Sequence, residues 1–116
     1  MNITIVSEII GGIHEDNRGR IGFVNDFDLH CIKRFYTITH SSTKIFRGWQ
    51  GHKKETKYFF VVKGTFKIFT IKIDSWNSPS SSLPLKESVL SDTNSKVLCV
   101  PGGFVTGIMA QKSDSR

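Results

Sequence analysis

Apolar residues in this chain come in short runs of Ile, Val, Phe, Tyr and Thr, each closed within a few residues by Gly, Asn, Asp, Ser or Pro. Such runs suit a pleated, half-buried surface, and the residues between them suit tight turns. Residues 3–6, 21–24, 35–38, 44–49, 58–62, 65–73, 96–100 and 107–110 are therefore predicted strands. No window sustains a helical apolar period, so an all-β antiparallel sandwich or barrel is the expected architecture. The length of 116 residues fits one domain, 1–116, able to fold on its own core, and no internal repeat divides it.

Local features sharpen this picture. Along 65–73 the apolar phase moves from Phe66 and Ile68 to Phe69, Ile71 and Ile73, which on a period of two predicts a bulge near Ile68. Lys63-Gly64 reads as a hairpin turn, and Pro101-Gly102-Gly103 as a tight turn between strands. Residues 75–84 are too rich in Ser and Pro for a strand and are expected to form a mobile surface loop. Phe59, Phe60, Phe66, Phe69 and Phe104 are expected in the core, whereas Tyr36 and Trp49 suit a cavity mouth.

Cys31 and Cys99 match no metal-ligand spacing and read as buried thiols of a reducing compartment. The first ten residues lack the pattern of a secretory leader, and no apolar run is long enough to span a membrane; a cytoplasmic protein is expected. The formal charge of +6 favours an anionic partner. Lysines spread over many strands and turns argue against a nucleic-acid groove and for a smaller anion. Only residues 111–116 follow the last predicted strand, so the expectation is a closing strand from a partner subunit, or a shortened relative that lacks a C-terminal extension.

Several stretches carry a resemblance. Arg47-Gly48-Trp49-Gln50-Gly51-His52-Lys53-Lys54 is similar to the Arg-Gly-x-His-Ala-His-Lys signature of the cupin-fold dTDP-sugar 3,4-ketoisomerases, and Lys33-Arg34-Phe35-Tyr36 resembles a strand of the same enzymes. The stretch from His14 to Gly19 looks like the Asp-x-Arg-Gly turn of the dTDP-4-dehydrorhamnose 3,5-epimerases. The stretch from Val100 to Ile108 resembles their Ile-Pro-x-Gly-Phe-Ala-His-Gly segment, and Lys57 matches the spacing of a lysine near the sugar carbonyl. The resemblance implies an antiparallel jelly-roll (cupin) barrel, a homodimer, no cofactor, and a nucleotide-sugar isomerase or epimerase of polysaccharide biosynthesis. There are departures: Gln50 stands where both families have a histidine, Thr106 stands in place of the second-motif histidine, and the epimerase tyrosine would lie beyond Arg116.

Proton transfer next to a ketone needs a base of near-neutral pKa and a positive group to hold enolate charge. His52 is the expected base and Lys57, with Arg47, the electrostatic partner. Gln50, two residues from His52 on a strand, would face the same cavity and bind the sugar. Arg47 and Arg18 suit a diphosphate, because the guanidinium fork pairs with phosphate oxygens; Arg47 has the alternative of a structural ion pair with Asp26 or Asp28. No metal is expected, since a divalent ion needs three or four convergent ligands. Two readings stay open beside the isomerase: a noncatalytic nucleotide-sugar-binding module, favoured by Gln50, and a single-stranded nucleic-acid binder.

Overall fold

The computed structural model describes residues 4–116. Alternation is cleanest along β6 (Thr65–Lys72), where the period of two turns Phe66, Ile68 and Thr70 to one face and buries all three. This strand lies inside a four-stranded antiparallel sheet of order β4 (Phe46–His52), β9 (Phe104–Ala110), β6, β7 (Leu85–Ser91). Directly opposite residues share a face, so Ala110, Ile108 and Thr106 of β9 continue the inner rows begun by Phe66, Ile68 and Thr70. A second sheet, β1 (Ser7–Ile10), β8 (Lys96–Val100), β5 (Lys57–Phe59), adds Leu98 and Val100. The core is the layer between the two sheets, closed by Val6 and Val61, and Ile68, Leu98 and Val100 each contribute about 1.5–3 kcal/mol by leaving water. The molecule is all-β, an antiparallel jelly roll of the cupin type.

Several expectations are corrected. No bulge interrupts β6, whose register with β7 and β9 is continuous; Thr70 takes the inner position, and Phe69 lies on the outer face, 6.2 Å from the Phe46 ring. The bulge falls on β4 instead, between Arg47 and Gln50. Lys63-Gly64 does not close a hairpin, because β5 and β6 belong to different sheets. Gly64, at φ 79°, carries the chain across, its N–H donating to Asp92 at 2.9 Å. Phe60 is 44 % exposed, and Cys31 is exposed whereas Cys99 is buried. Residues 75–84 do form a loop, tied down by Asp74, which accepts from the N–H groups of Ser75 and Ser80, while Trp76 lies against Gly51 on the outer face. Ile3 of the first predicted strand lies outside the described residues, and the pairing of that region begins at Ser7.

Two parts of the chain find little cover. β2 (Gly12–Asp16) and β3 (Gly19–Phe23) form a separate two-stranded arm on which every residue of β3 is exposed. Its base is held by Ser95, which accepts from Gly11 N–H at 2.8 Å and donates its hydroxyl to the Phe23 carbonyl at 3.0 Å. The predicted strand at 35–38 lacks ladder partners: from Lys33 to Thr39 the backbone makes no hydrogen bond to another described segment, and Phe35 is 88 % exposed. The described chain measures 55 × 36 × 23 Å along its principal axes.

Candidate functional site

The bulge on β4 decides what faces inward. On a regular strand, residues three apart point to opposite sides, yet Arg47 lies opposite Ile108 and Gln50 opposite Thr106, both inner residues of β9. Three steps on β4 match two on β9, so Arg47, Gln50 and His52 all line the same cavity. Trp49, caught in the bulge, is turned out. Its ring meets Phe46 edge-on at 5.4 Å over Gly107, on the far side of the sheet, so it does not line the cavity mouth.

Lys57 enters from the opposite sheet. It stands opposite Val100, which places it on the core side of β5, and its Nζ crosses the gap to donate to Thr106 Oγ1 at 3.4 Å. The Thr106 hydroxyl in turn donates to the Gln50 carbonyl at 3.4 Å. Burial holds the Lys57 ammonium below its usual pKa, partly offset by the nearby Glu55 charge. Thr70, opposite Thr106 at the base of this row, keeps its buried Oγ1 without a hydrogen-bond partner.

His52 has a partner that its sequence setting concealed. Within the run from His52 to Lys57, which reads as a solvated turn, Glu55 comes back to 3.2 Å from His52 Nδ1, and its other oxygen accepts from Arg34 at 3.2 Å. A carboxylate on Nδ1 selects the tautomer that leaves Nε2 with a free lone pair. The local signal was the three-residue spacing of His and Glu.

The cavity is open to solvent, with a volume of about 1580 Å³ between β4, β5, β9 and the extended segment that carries Phe35 and Tyr36. Its lining includes Lys33, Arg34, Arg47, Lys53, Lys54, Lys57 and Arg116, seven of the chain's 16 lysines and arginines, and only Glu55 of its ten acids. The cations that look scattered in sequence are gathered in space, and such a concentration attracts anions. Arg47 pairs with neither Asp26 nor Asp28; its Nε meets His40 Nε2 at 3.5 Å. Arg18 is absent from the lining. It sits at the tip of the arm, where Asp16 binds its guanidinium at 2.6 Å and is held below the usual carboxylate pKa by that contact. The expected group thus divides: Tyr36, Arg47, Gln50, His52 and Lys57 line the same cavity, while Arg18 and Trp49 do not. Among the described residues no cluster of three or more His, Cys, Asp or Glu is placed to share a metal ion, and no helix is long and apolar enough to cross a membrane.

Two facing antiparallel sheets around an open, basic cavity make a cupin-type fold, and solved structures of that fold superpose on this chain. The Mycobacterium tuberculosis rmlC epimerase matches with a TM-score of 0.75 at 20 % identity, covering 95 % of this chain and 59 % of its own. A 3,4-ketoisomerase from Helicobacter canadensis matches at 0.73 and 17 %, covering 95 % and 77 %. The 3,4-ketoisomerase QdtA from Thermoanaerobacterium thermosaccharolyticum, solved in complex with TDP-4-keto-6-deoxyglucose, matches at 0.60 and 24 %, covering 96 % and 86 %. The chain thus spans about three fifths of the first of these proteins. No family model and no curated protein matches the sequence.

Proposed function

We propose that the cavity binds a dTDP-linked 4-keto-6-deoxy sugar and moves a proton between its keto carbon and the carbon beside it. The observation that carries this reading is that the Glu55-held His52 lines, with Lys57, Gln50 and Arg47, one cavity whose charged lining is mostly cationic. His52 Nε2 takes the proton from the carbon next to the carbonyl, and the electrons of that C–H bond form the C=C of an enediolate. Lys57 steadies the oxyanion; a proton is then delivered to the former carbonyl carbon while the hydroxyl proton of the first carbon passes to the former carbonyl oxygen, so the step balances with no oxidant. Arg47 takes the diphosphate with its paired N–H donors, Gln50 holds the sugar, and Tyr36 stacks at the mouth. In deuterium oxide a dTDP-4-keto-6-deoxy sugar is expected to gain label at a ring carbon; the absence of both label and isomerised product would end the isomerase reading.

One observation favours a second reading. Gln50 and Thr106 lie directly opposite each other at the two positions where the resembled enzymes place histidines, so this chain has one imidazole in the row where they have more. A noncatalytic nucleotide-sugar-binding module of polysaccharide biosynthesis would show thermal stabilisation by dTDP without label incorporation.

The protein works as a cytoplasmic homodimer. The exposed arm and the unpaired segment 33–39 are the physical motive, since an open strand edge recruits another strand. In that assembly the arm brings Arg18 to the partner's cavity, where phosphate replaces Asp16. Light scattering should give twice the chain mass, and a monomer at micromolar concentration would remove this assembly and the role of Arg18 with it.

A further inference from the structure

Four arginines of this chain have side-chain partners of different kinds. Asp16 neutralises Arg18 and Glu55 binds Arg34, while Arg116 donates to the Thr39 hydroxyl. Arg47 has no carboxylate within ion-pair distance among the described residues; its Nε points at an imidazole nitrogen, His40 Nε2, at 3.5 Å. His40 is buried to 1 % exposure, with its ring edge-on to Phe66 at 5.3 Å and its backbone N–H bound to the Ser115 carbonyl at 3.0 Å. It is not in the cavity lining but directly behind a residue that is.

The hydrogen-bond accounting of His40 is unusual. Accepting from Arg47 at Nε2 leaves the ring proton on Nδ1, and Nδ1 is buried without a partner. A buried N–H left unpaired is a cost that packing alone does not call for, and such groups in folded proteins tend to mark function. Burial first, and the Arg47 charge second, keep this imidazole neutral by pulling its pKa down. A neutral acceptor does what a carboxylate there could not. It fixes the guanidinium by Nε while leaving the full positive charge, and the terminal Nη1 and Nη2 donors, for an anion in the cavity.

We propose that His40 is a positioning residue that holds Arg47 facing the cavity, ready for a phosphate group, through a neutral imidazole acceptor. The phosphate part of this rests on the nucleotide-sugar reading above; the contact between the two side chains does not. The test uses the full chain, inorganic pyrophosphate and dTDP as probes, and two variants. In the wild type the Arg47 Nε–H should exchange slowly with water by NMR. His40→Gln, whose amide places an acceptor near the Nε2 position, should bind both probes within about twofold of wild type, whereas His40→Leu should bind about tenfold more weakly. On an Arg47→Ala background His40→Leu should cause no further loss.

The inference is overturned if the wild-type Arg47 Nε–H exchanges like that of a free arginine, or if His40→Gln is as damaging as His40→Leu. It is equally overturned if the His40→Leu loss persists without Arg47. A wild type that binds neither probe would sink the nucleotide-sugar reading, and Nε–H exchange would still decide the contact. Should His40→Leu not fold, His40→Gln and the exchange measurement decide it alone.

Discussion

The wall made by β4, β9 and β6 and the arm made by β2 and β3 are both antiparallel ladders with β-branched and aromatic residues, yet they end in opposite environments. Ile68 at the centre of the wall is 1 % exposed; Ile21 on the arm is 60 % exposed. The wall has a second sheet across from it, supplying Leu98 and Val100, whereas the arm has only its own hairpin and the tie through Ser95. An apolar face asks for cover, but the pattern does not say which molecule provides it. The wall is covered by the facing sheet; the arm has no facing sheet among the described residues.

If the wall houses the chemistry, its polar inner positions should matter far more to turnover than to stability. His52→Asn is expected to lower deuterium incorporation by about 10³-fold, with little change in melting temperature because the side chain is partly exposed. Equal losses of activity and of folded protein would mean that the histidine is structural. The apolar inner positions should behave the other way: Ile68→Ala should cost about 2–5 kcal/mol in denaturant unfolding. A cost below about 1 kcal/mol would show that the wall is not packed as described.

Acid should separate the two regions as well. His40 has a folded pKa below its ordinary 6.5, so between those two values the unfolded chain binds more protons than the folded one. Stability contributed by the neutral imidazole is therefore complete above pH 6.5 and is lost as the pH falls toward the folded pKa, with a slope of at most about 1.4 kcal/mol per pH unit. His40→Gln should flatten that part of the profile; an unchanged slope would place the titrating group elsewhere. On the arm, Ile21→Ser should change unfolding of the single chain by about 0.5 kcal/mol or less. If the arm forms the seam of the proposed homodimer, the same change should raise its dissociation constant, and analytical ultracentrifugation would blunt the comparison if it found assembly unaffected.

The strands with compact apolar runs were legible in the residues. β6, β8 and β9 appear close to where their Ile, Val and Phe runs place them. β7 was not, because its inner positions carry Lys86 and Ser88 beside Leu90, too little apolar alternation to register. Phe69 and Ile71 face outward on an unbroken β6, whereas Arg47 and Gln50, three apart and both inward, required the bulge on β4. That bulge also explains why Trp49 was expected in the cavity and lies outside it. Glu55 was hidden in a run of charges, and His40 sits in a polar stretch whose burial depends on Ser115, far away in the chain. Both are contacts made by folding rather than by spacing.

The proposed function requires that the inner wall bind a nucleotide-linked keto sugar. A crystal structure of the protein grown with TDP-4-keto-6-deoxyglucose tests this most directly. It should show the diphosphate on Arg47 and the keto carbon within reach of both His52 Nε2 and Lys57 Nζ. Ligand bound instead against Phe46 and Trp49 on the outer face, or a cavity left unfilled at saturating concentration, would contradict it.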